Sequence, residues 1–167
     1  ESSIGFFEVR TTPVRGPMPI LGEAHHSGPV VLVWDAVKKE TRHPEHGHNV
    51  VYHEFAHKLD MLDGSADGTP PLTTPEDYQR WSDVCSKEYL ELCGKVNHGK
   101  PTFFDSYAAT DEAEFFAVVT EYFFSKPENM KHHHPKLYQV LQDFYRQDPA
   151  QKVFTNQLLK TEPKSIY

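Results

Sequence analysis

Residues 50–60 read VVYHEFAHKLD, and the other predictions start from this segment because it places two histidines and two acidic residues on one predicted helix. Asn49 precedes it as an N-cap and Gly64 follows it as a stop signal, so the sequence predicts a helix between them. His53 and His57 are four residues apart, so their imidazoles project from the same face and can share one metal ion. Zinc suits two neutral imidazoles, and we therefore predict a zinc site here.

Glu54 stands directly after the first histidine of this motif. Its carboxylate points along the same edge of the helix without reaching the ion comfortably, so it faces the water that the metal activates and is the predicted general base. The alternative is a surface helix with two histidines, since the chain has 11 of them. Apolar neighbours favour the metal site, because buried histidines need partners: Tyr52, Phe55, Ala56, Leu59 and Leu62.

A catalytic zinc ion needs a third protein ligand and one open position. Glu114 is the candidate, because it begins an apolar helix predicted from Asp111 to Phe124, in which an unpaired carboxylate is costly. A capping box formed by Asp111 and Glu114 explains the same residue equally well. Asp60 could be a ligand instead, or could orient one imidazole by a hydrogen bond, and we favour the orienting role.

Tyr107 ends the segment FDSY, residues 104–107, just before the predicted ligand helix. A phenol at this place can donate a hydrogen bond to the oxyanion that forms when a peptide bond is attacked. An ordinary core tyrosine fits the same sequence. Tyr107 is therefore a candidate catalytic residue beside Glu54.

The rest of the chain predicts two strands and two further helices. Apolar, β-branched stretches at Ile4 to Val9 and Pro29 to Trp34 predict strands joined by a long Pro/Gly-rich loop, and a polar stretch from Lys38 to His48 follows. One helix starts at the Thr74 cap and ends at Gly94, and the last starts at Pro135 and stops at the Asp148–Pro149 step. His132 to His134 are expected in a solvated loop between helices.

Charge and cysteine content limit the classes of partner and compartment. The net charge is −7 and no Lys/Arg-rich block is present, so direct nucleic-acid binding is not expected. No run approaches the roughly 20 apolar residues of a membrane span, and the first residues lack the zones of a secretory signal. Cys85 and Cys93 would lie about 12 Å apart on a helix, too far to bond, so we expect free thiols and a cytoplasmic protein.

Several segments together resemble a known family. They read VYHEFAHKLD at 51–60, SYAAT at 106–110 and AEFFAV at 113–118, with further likeness in SGPVVLVW at 27–34, EYFFS at 121–125 and DFYRQDP at 143–149. These segments resemble the Mlc titration factor A family of glucose-regulated zinc peptidases. In that family the two motif histidines and the glutamate of the third segment bind zinc, which matches His53, His57 and Glu114 with one ion per chain.

The resemblance also implies roles for the neighbouring residues and a fold class. Glu54 matches the catalytic glutamate, and a distant similarity to the catalytic domain of anthrax lethal factor places a tyrosine where Tyr107 stands. The implied fold is α+β and zincin-like, with a small β-sheet packed on the HExxH helix and a second helix carrying the third ligand. We expect one metallopeptidase domain over residues 1–160, a frayed tail over 161–167, and an N-terminal region of the family missing before Glu1.

The implied function is a zinc-dependent peptidase, in the first place an aminopeptidase, acting on peptides or proteins. The absence of a Gly-x-Met-Glu-Asn segment, which larger zinc aminopeptidases use for the substrate amine, leaves endopeptidase activity open. One alternative implied by the family is a regulator that binds and sequesters a transcriptional repressor. The other is a structural zinc site whose fourth ligand is His98 or one of His132 to His134.

Overall fold

The computed structural model describes residues 22–24, 29–42 and 47–152. Two strands come first, followed by six α-helices: β1 (Gly22–Ala24), β2 (Val30–Leu32), α1 (Trp34–Arg42), α2 (Val50–Asp60), α3 (Pro75–Asn97), α4 (Glu112–Ser125), α5 (Pro127–His133) and α6 (Pro135–Tyr145). Two short 3-10 helices lie at Met61–Asp63 and Ser106–Ala109. The predicted strand Ile4 to Val9, the Pro/Gly-rich loop after it and the tail 161–167 lie outside the described residues.

The centre of the fold is α4, which packs against α2 along its length. Every residue from Phe115 to Phe123 in α4 is buried, as its apolar circumference predicts. The helix begins where the sequence indicated, with Asp111 as the N-cap accepting the Glu114 N–H at 2.9 Å. Because α2 supplies the two histidines and α4 supplies Glu114, this helix pair determines the geometry of the candidate site.

Helix α3 forms the second layer of the core. Thr74 and Asp77 make a full capping box at its start, with Pro75 at the first helical position. The ring of Trp81 lies edge-on against Phe116 of α4 and Phe144 of α6, with centroids 5.5 and 5.6 Å away. Aromatic contacts of this kind favour one relative placement of the three helices.

The end predicted for α3 at Gly94 is wrong, because the helix continues to Asn97. A glycine inside a helix costs about 1 kcal/mol relative to alanine, but it does not break the hydrogen-bonded ladder. Leu92 is buried and Val96 packs against the core, so tertiary contacts carry the helix past the glycine. The turn comes instead at Gly99, which has a φ of 62°.

The sheet in the described residues is one antiparallel pair of three-residue strands, in which Gly22 pairs with Leu32 and Ala24 pairs with Val30. Both strands contact α2. The described protein is therefore mostly helical, and β2 covers only the middle of the strand predicted from Pro29 to Trp34. A larger sheet and a zincin-like arrangement stay predictions.

Helix α1 was not predicted. Its first residue, Trp34, was predicted to lie in a strand, and its residues from Lys38 onward to form a polar stretch. Of the α1 side chains that the structure describes, only that of Ala36 is buried, and the segment is mostly polar. Charges support it instead: Asp35 pairs with Lys38 at 2.8 Å, and the Glu40 carboxylate accepts the Val50 N–H at 2.6 Å. That last bond ties α1 to the first residue of α2.

The loop predicted at His132 to His134 is also wrong, although His132 and His133 are exposed to solvent as expected. His132 and His133 end the seven-residue helix α5, which buries Met130 but is too short for a periodic pattern. His134 is half-buried, its Nδ1 lies 2.7 Å from Glu88 Oε2, and its ring lies 4.7 Å from that of Phe104. This histidine therefore links the start of α6 to α3.

The loop between α2 and α3 contacts the start of α4 at Gly68. The buried Asp60 carboxylate accepts the Gly68 N–H at 3.0 Å, and the Trp81 indole N–H donates to the Gly68 carbonyl at 3.1 Å. A Cβ atom at Gly68 would lie 2.3 Å from the Glu112 carbonyl oxygen, and its φ is 76°. Only glycine fits this position, and it sets the separation between α2 and the first turn of α4.

We predict that Gly68→Ala lowers the free energy of unfolding by about 2–4 kcal/mol, because it adds both backbone strain and overlap with Glu112. Gly94→Ala is the matched control: its Cβ would meet nothing within 4 Å, and its place in α3 predicts a gain of about 0.5–1 kcal/mol. Urea unfolding of both variants measures the two changes. Equal stability of the two variants would contradict the prediction.

Candidate metal centre

Three side chains from α2 and α4 converge on one point. The Nε2 atoms of His53 and His57 are 3.2 Å apart, and the Glu114 Oε2 lies 3.1 Å from the first and 3.5 Å from the second. Among the described residues these three alone form a group of His, Cys, Asp or Glu ligand atoms close enough to share an ion. The structure therefore brings together the three residues that the sequence predicted as ligands.

The starts of the two helices determine the positions of these three side chains. The Asn49 side chain accepts the N–H groups of Val51 and Tyr52, which fixes the first turn of α2 just before His53. The cap on α4 is one-sided: Asp111 accepts the Glu114 N–H, while the Glu114 carboxylate turns towards the histidines. The capping-box explanation of Glu114 therefore accounts for its backbone but not for its side chain.

These residues fit a metal ion. Glu114 Oε2 is buried and has no hydrogen bond of good geometry, although it lies 3.1 Å from a histidine nitrogen. A buried acceptor without a donor costs free energy, and a cation at the centre of the three atoms would satisfy it. Two imidazoles and one carboxylate are the donor set of many catalytic zinc sites, which leave a fourth position open.

The same contacts shift the pKa values of the side chains when no ion is bound. Burial by itself would lower the pKa of His53, but the carboxylates of Glu114 and Glu121 raise it to about 10. Burial would raise the pKa of Glu114, but its two histidine neighbours lower it to about 2. Zinc binds a neutral imidazole, so binding would have to displace any proton on Nε2 of His53.

Glu54 and Tyr107 lie beside the cluster. Glu54 is buried on α2, next to His53. Tyr107 lies in the 3-10 helix Ser106–Ala109, where Asp105 accepts its N–H at 2.8 Å, and its ring centroid is 6.1 Å from that of His53. Burial and the nearby carboxylates of Glu114, Asp111 and Glu54 raise the pKa of Tyr107 above its ordinary value. The phenol therefore keeps its proton and remains a hydrogen-bond donor.

The other candidate ligands are elsewhere. Asp60 is fully buried, but its carboxylate binds the Gly68 N–H and is not part of the cluster. Burial raises the pKa of Asp60 to about 6. His98 binds the Gly94 carbonyl at 2.6 Å and His134 binds Glu88, so neither is brought to the cluster as a fourth ligand.

Glu121 has a contact that the sequence did not reveal. Its Oε1 lies 2.8 Å from Nδ1 of His53, on the side of the ring away from the cluster. The available signal was its position seven residues after Glu114, which puts both carboxylates on one face of α4. The partner could not be read from the sequence, because the bond joins residues 68 positions apart.

Comparison with known proteins assigns the family. A family model described as the glucose-regulated metallo-peptidase M90 matches residues 8–146. The chain belongs to this family. Membership indicates a metallopeptidase-like or regulatory protein, and the predicted resemblance to Mlc titration factor A is confirmed.

Individual relatives agree with this assignment. Mlc titration factor A of Edwardsiella ictaluri is 38% identical over 154 residues, which cover 88% of the chain and 56% of that protein. The same-named protein of Serratia proteamaculans is 38% identical over 141 residues, covering 83% and 53%. An uncharacterised protein of Synechocystis sp. is 44% identical over 123 residues, covering 74% and 45%. The chain thus spans about half the length of the relatives it matches.

We predict that His53 in the chelator-treated protein keeps its proton well above pH 6.5, because two carboxylates raise its pKa to about 10. Its contribution to stability is then full below pH 6.5 and is lost as the pH rises towards 10. NMR titration of the imidazole signals measures the pKa directly. A His53 midpoint at or below 6.5 would contradict the observed contacts.

Proposed function

We propose that this chain is a zinc-dependent peptidase, in which His53, His57 and Glu114 hold one zinc ion. The observation that carries the proposal is the convergence of two Nε2 atoms and the buried Glu114 Oε2, which has no adequate donor. Asp60 and His98 are engaged elsewhere, so three protein ligands and an open fourth position are expected. This arrangement is typical of catalytic rather than structural zinc.

The proposed reaction is hydrolysis of a peptide bond. When bound, zinc lowers the pKa of a water molecule towards about 7 and polarises the scissile carbonyl. Glu54 then takes the proton of the attacking water and passes it to the leaving amine, as a buried carboxylate beside the site can do. Tyr107, kept protonated by its surroundings, donates a hydrogen bond to the oxyanion.

For the substrate we propose peptides with a free amino terminus. The carboxylates of Glu54, Asp111 and Glu114 all act on Tyr107, and Glu112 has its pKa raised by burial and by the charges of Asp111 and Asp67. Such a concentration of negative charge attracts a positively charged amine. This charge is compatible with aminopeptidase activity, which the family resemblance implies.

We place the protein in the cytoplasm. Cys85 and Cys93 are both free, and Cys85 is buried in the core. Free thiols in this number fit a reducing compartment. None of the described helices is long and apolar enough to cross a membrane.

A second function is titration of the Mlc repressor, in which peptidase activity is secondary. The specific support is the name of two relatives, Mlc titration factor A, together with exposed apolar side chains on the described surface. Trp34, Phe55 and Leu62 are 69%, 53% and 70% exposed. Exposed apolar residues are typical of surfaces that bind another protein. Because only about half of these relatives is matched, this role is the weaker candidate.

We predict that Glu54→Gln keeps one zinc per chain and lowers kcat on an aminoacyl-nitroanilide by about 100-fold to 10,000-fold, because the base is lost. Mass spectrometry of the native protein measures the metal, and Glu88→Gln, which changes a glutamate outside the site, is the matched control. Retained turnover would remove Glu54 as the base. If the protein binds the repressor instead, Glu54→Gln should still retain it in a pull-down.

We predict that Tyr107→Phe lowers kcat by about 100-fold to 1,000-fold with little change in KM or zinc content, because the oxyanion loses a donor. Tyr52→Phe is the control, since this exposed tyrosine also lies on α2, next to His53, but is not part of the cluster. Steady-state kinetics of both variants gives the comparison. Equal activity of the two would assign Tyr107 to packing alone.

A further inference from the structure

A second carboxylate, that of Glu121, contacts the candidate ligand His53. Glu121 is only 4% exposed and lies two turns after Glu114 on the same helix. Its two oxygens have different partners: Oε1 is 2.8 Å from Nδ1 of His53, and Oε2 accepts the Asn49 N–H at 2.5 Å. A buried carboxylate is costly unless such bonds satisfy it, so its position is determined by both contacts.

The contact with His53 determines which ring nitrogen faces the cluster. An ionised carboxylate can only accept hydrogen bonds, so Nδ1 of His53 carries the proton that it donates to Glu121. In the neutral imidazole Nε2 is then left with a free lone pair. That atom lies 3.2 Å from His57 Nε2 and 3.1 Å from Glu114 Oε2, which is the ligand position.

The contact with Asn49 determines where α2 begins. Asn49 is the N-cap residue, and its backbone N–H points at Glu121 while its side chain caps Val51 and Tyr52. A negative charge at a helix N-terminus is also favoured by the helix dipole. The same carboxylate therefore holds both the first turn of α2 and the ligand that this turn carries.

Within residues 22–24, 29–42 and 47–152, no carboxylate contacts His57 in the way that Glu121 contacts His53. Among the described residues its ring contacts are Nε2 with His53 and Nε2 with Glu114, and no carboxylate reaches its Nδ1. Of the two imidazoles, His53 is thus the one whose tautomer and ring orientation are fixed by the protein. Because, of the two ligand rings, only that of His53 has a carboxylate partner at Nδ1 among the described residues, we expect metal affinity to depend on Glu121, which orients His53.

We propose that Glu121 is a positioning residue for the metal, which selects the Nδ1–H tautomer of His53 and holds its Nε2 towards His57 and Glu114. This inference rests on the proposed zinc site but assigns a role to a residue that binds neither metal nor substrate. A partner that orients a metal-binding histidine in this way typically contributes about 10-fold to 100-fold in metal affinity. Any loss of activity on substitution of Glu121 would result from weaker zinc binding.

The test compares zinc affinity in two glutamate variants. Glu121→Gln keeps the side-chain shape, but its amide cannot accept from both His53 and Asn49, because one end has become a donor. Glu88→Gln is a matched control, since Glu88 binds Nδ1 of His134 at 2.7 Å outside the site. Competition with a chromophoric chelator should show zinc binding about 10-fold to 100-fold weaker in Glu121→Gln and unchanged in Glu88→Gln.

A third variant separates ligand orientation from helix capping. Asn49→Ala removes the side-chain cap of α2 but keeps the backbone N–H that Glu121 accepts, so zinc affinity should stay within about threefold while thermal stability falls. An equal loss of affinity in Asn49→Ala and Glu121→Gln would overturn the proposal, as would unchanged affinity in Glu121→Gln. Circular dichroism of each variant checks that it is folded.

A measurement on the unsubstituted protein does not depend on any variant folding. In the zinc-loaded protein, ¹⁵N-correlated NMR should show a protonated Nδ1 and a metal-bound Nε2 for His53. A His53 that binds zinc through Nδ1 would overturn the positioning role while leaving the zinc site intact. Failure of the unsubstituted protein to bind zinc would overturn both the positioning role and the proposed function.

Discussion

The structure depends on one contact, the packing of α2 against α4. It places the Glu114 carboxylate against two imidazoles from the other helix, in a buried position where no hydrogen-bond donor of good geometry reaches Oε2. Neither helix has the site alone. A protein that only needed stability would gain more from apolar side chains at these positions, since buried charges are costly to pair.

Several features maintain this contact from outside the cluster. Gly68 lies between the end of α2 and the first turn of α4, bonded to Asp60 and Trp81, and leaves no space for a larger residue. Trp81 in turn packs on Phe116, so α3 and the loop act on the same helix. At the other end, Glu121 joins α4 to the first turn of α2. The two helices are thus fixed at both ends of their contact.

Much of the core could be predicted from sequence, because its signals are local. The caps at Asn49, Thr74 and Asp111 and the apolar run of α4 each identify an element from a few neighbouring residues. Helices α1 and α5 were missed, the first because it is mostly polar and the second because seven residues carry no full period. Packing carried α3 past Gly94 to Asn97, which no local rule could show.

In the candidate site, too, local patterns could be predicted from sequence and contacts between distant residues could not. The i, i+4 histidines are a local pattern, and the structure brings them to Glu114 as predicted. The sequence could not decide whether Glu114 is part of a capping box or a metal ligand. In the structure its backbone N–H is capped by Asp111, while its carboxylate turns to the histidines. The bonds of Glu121 and His134 join distant parts of the chain and leave no trace in the neighbouring residues.

The most direct test of this account is a crystal structure of the zinc-loaded protein with anomalous data at the zinc edge. We predict a single strong anomalous peak per chain, bonded to Nε2 of His53, Nε2 of His57 and a carboxylate oxygen of Glu114, with the fourth position free of protein atoms. A peak bound elsewhere, for example at His132 or His133, or no peak at the cluster, would contradict the claim that these two helices build a metal centre.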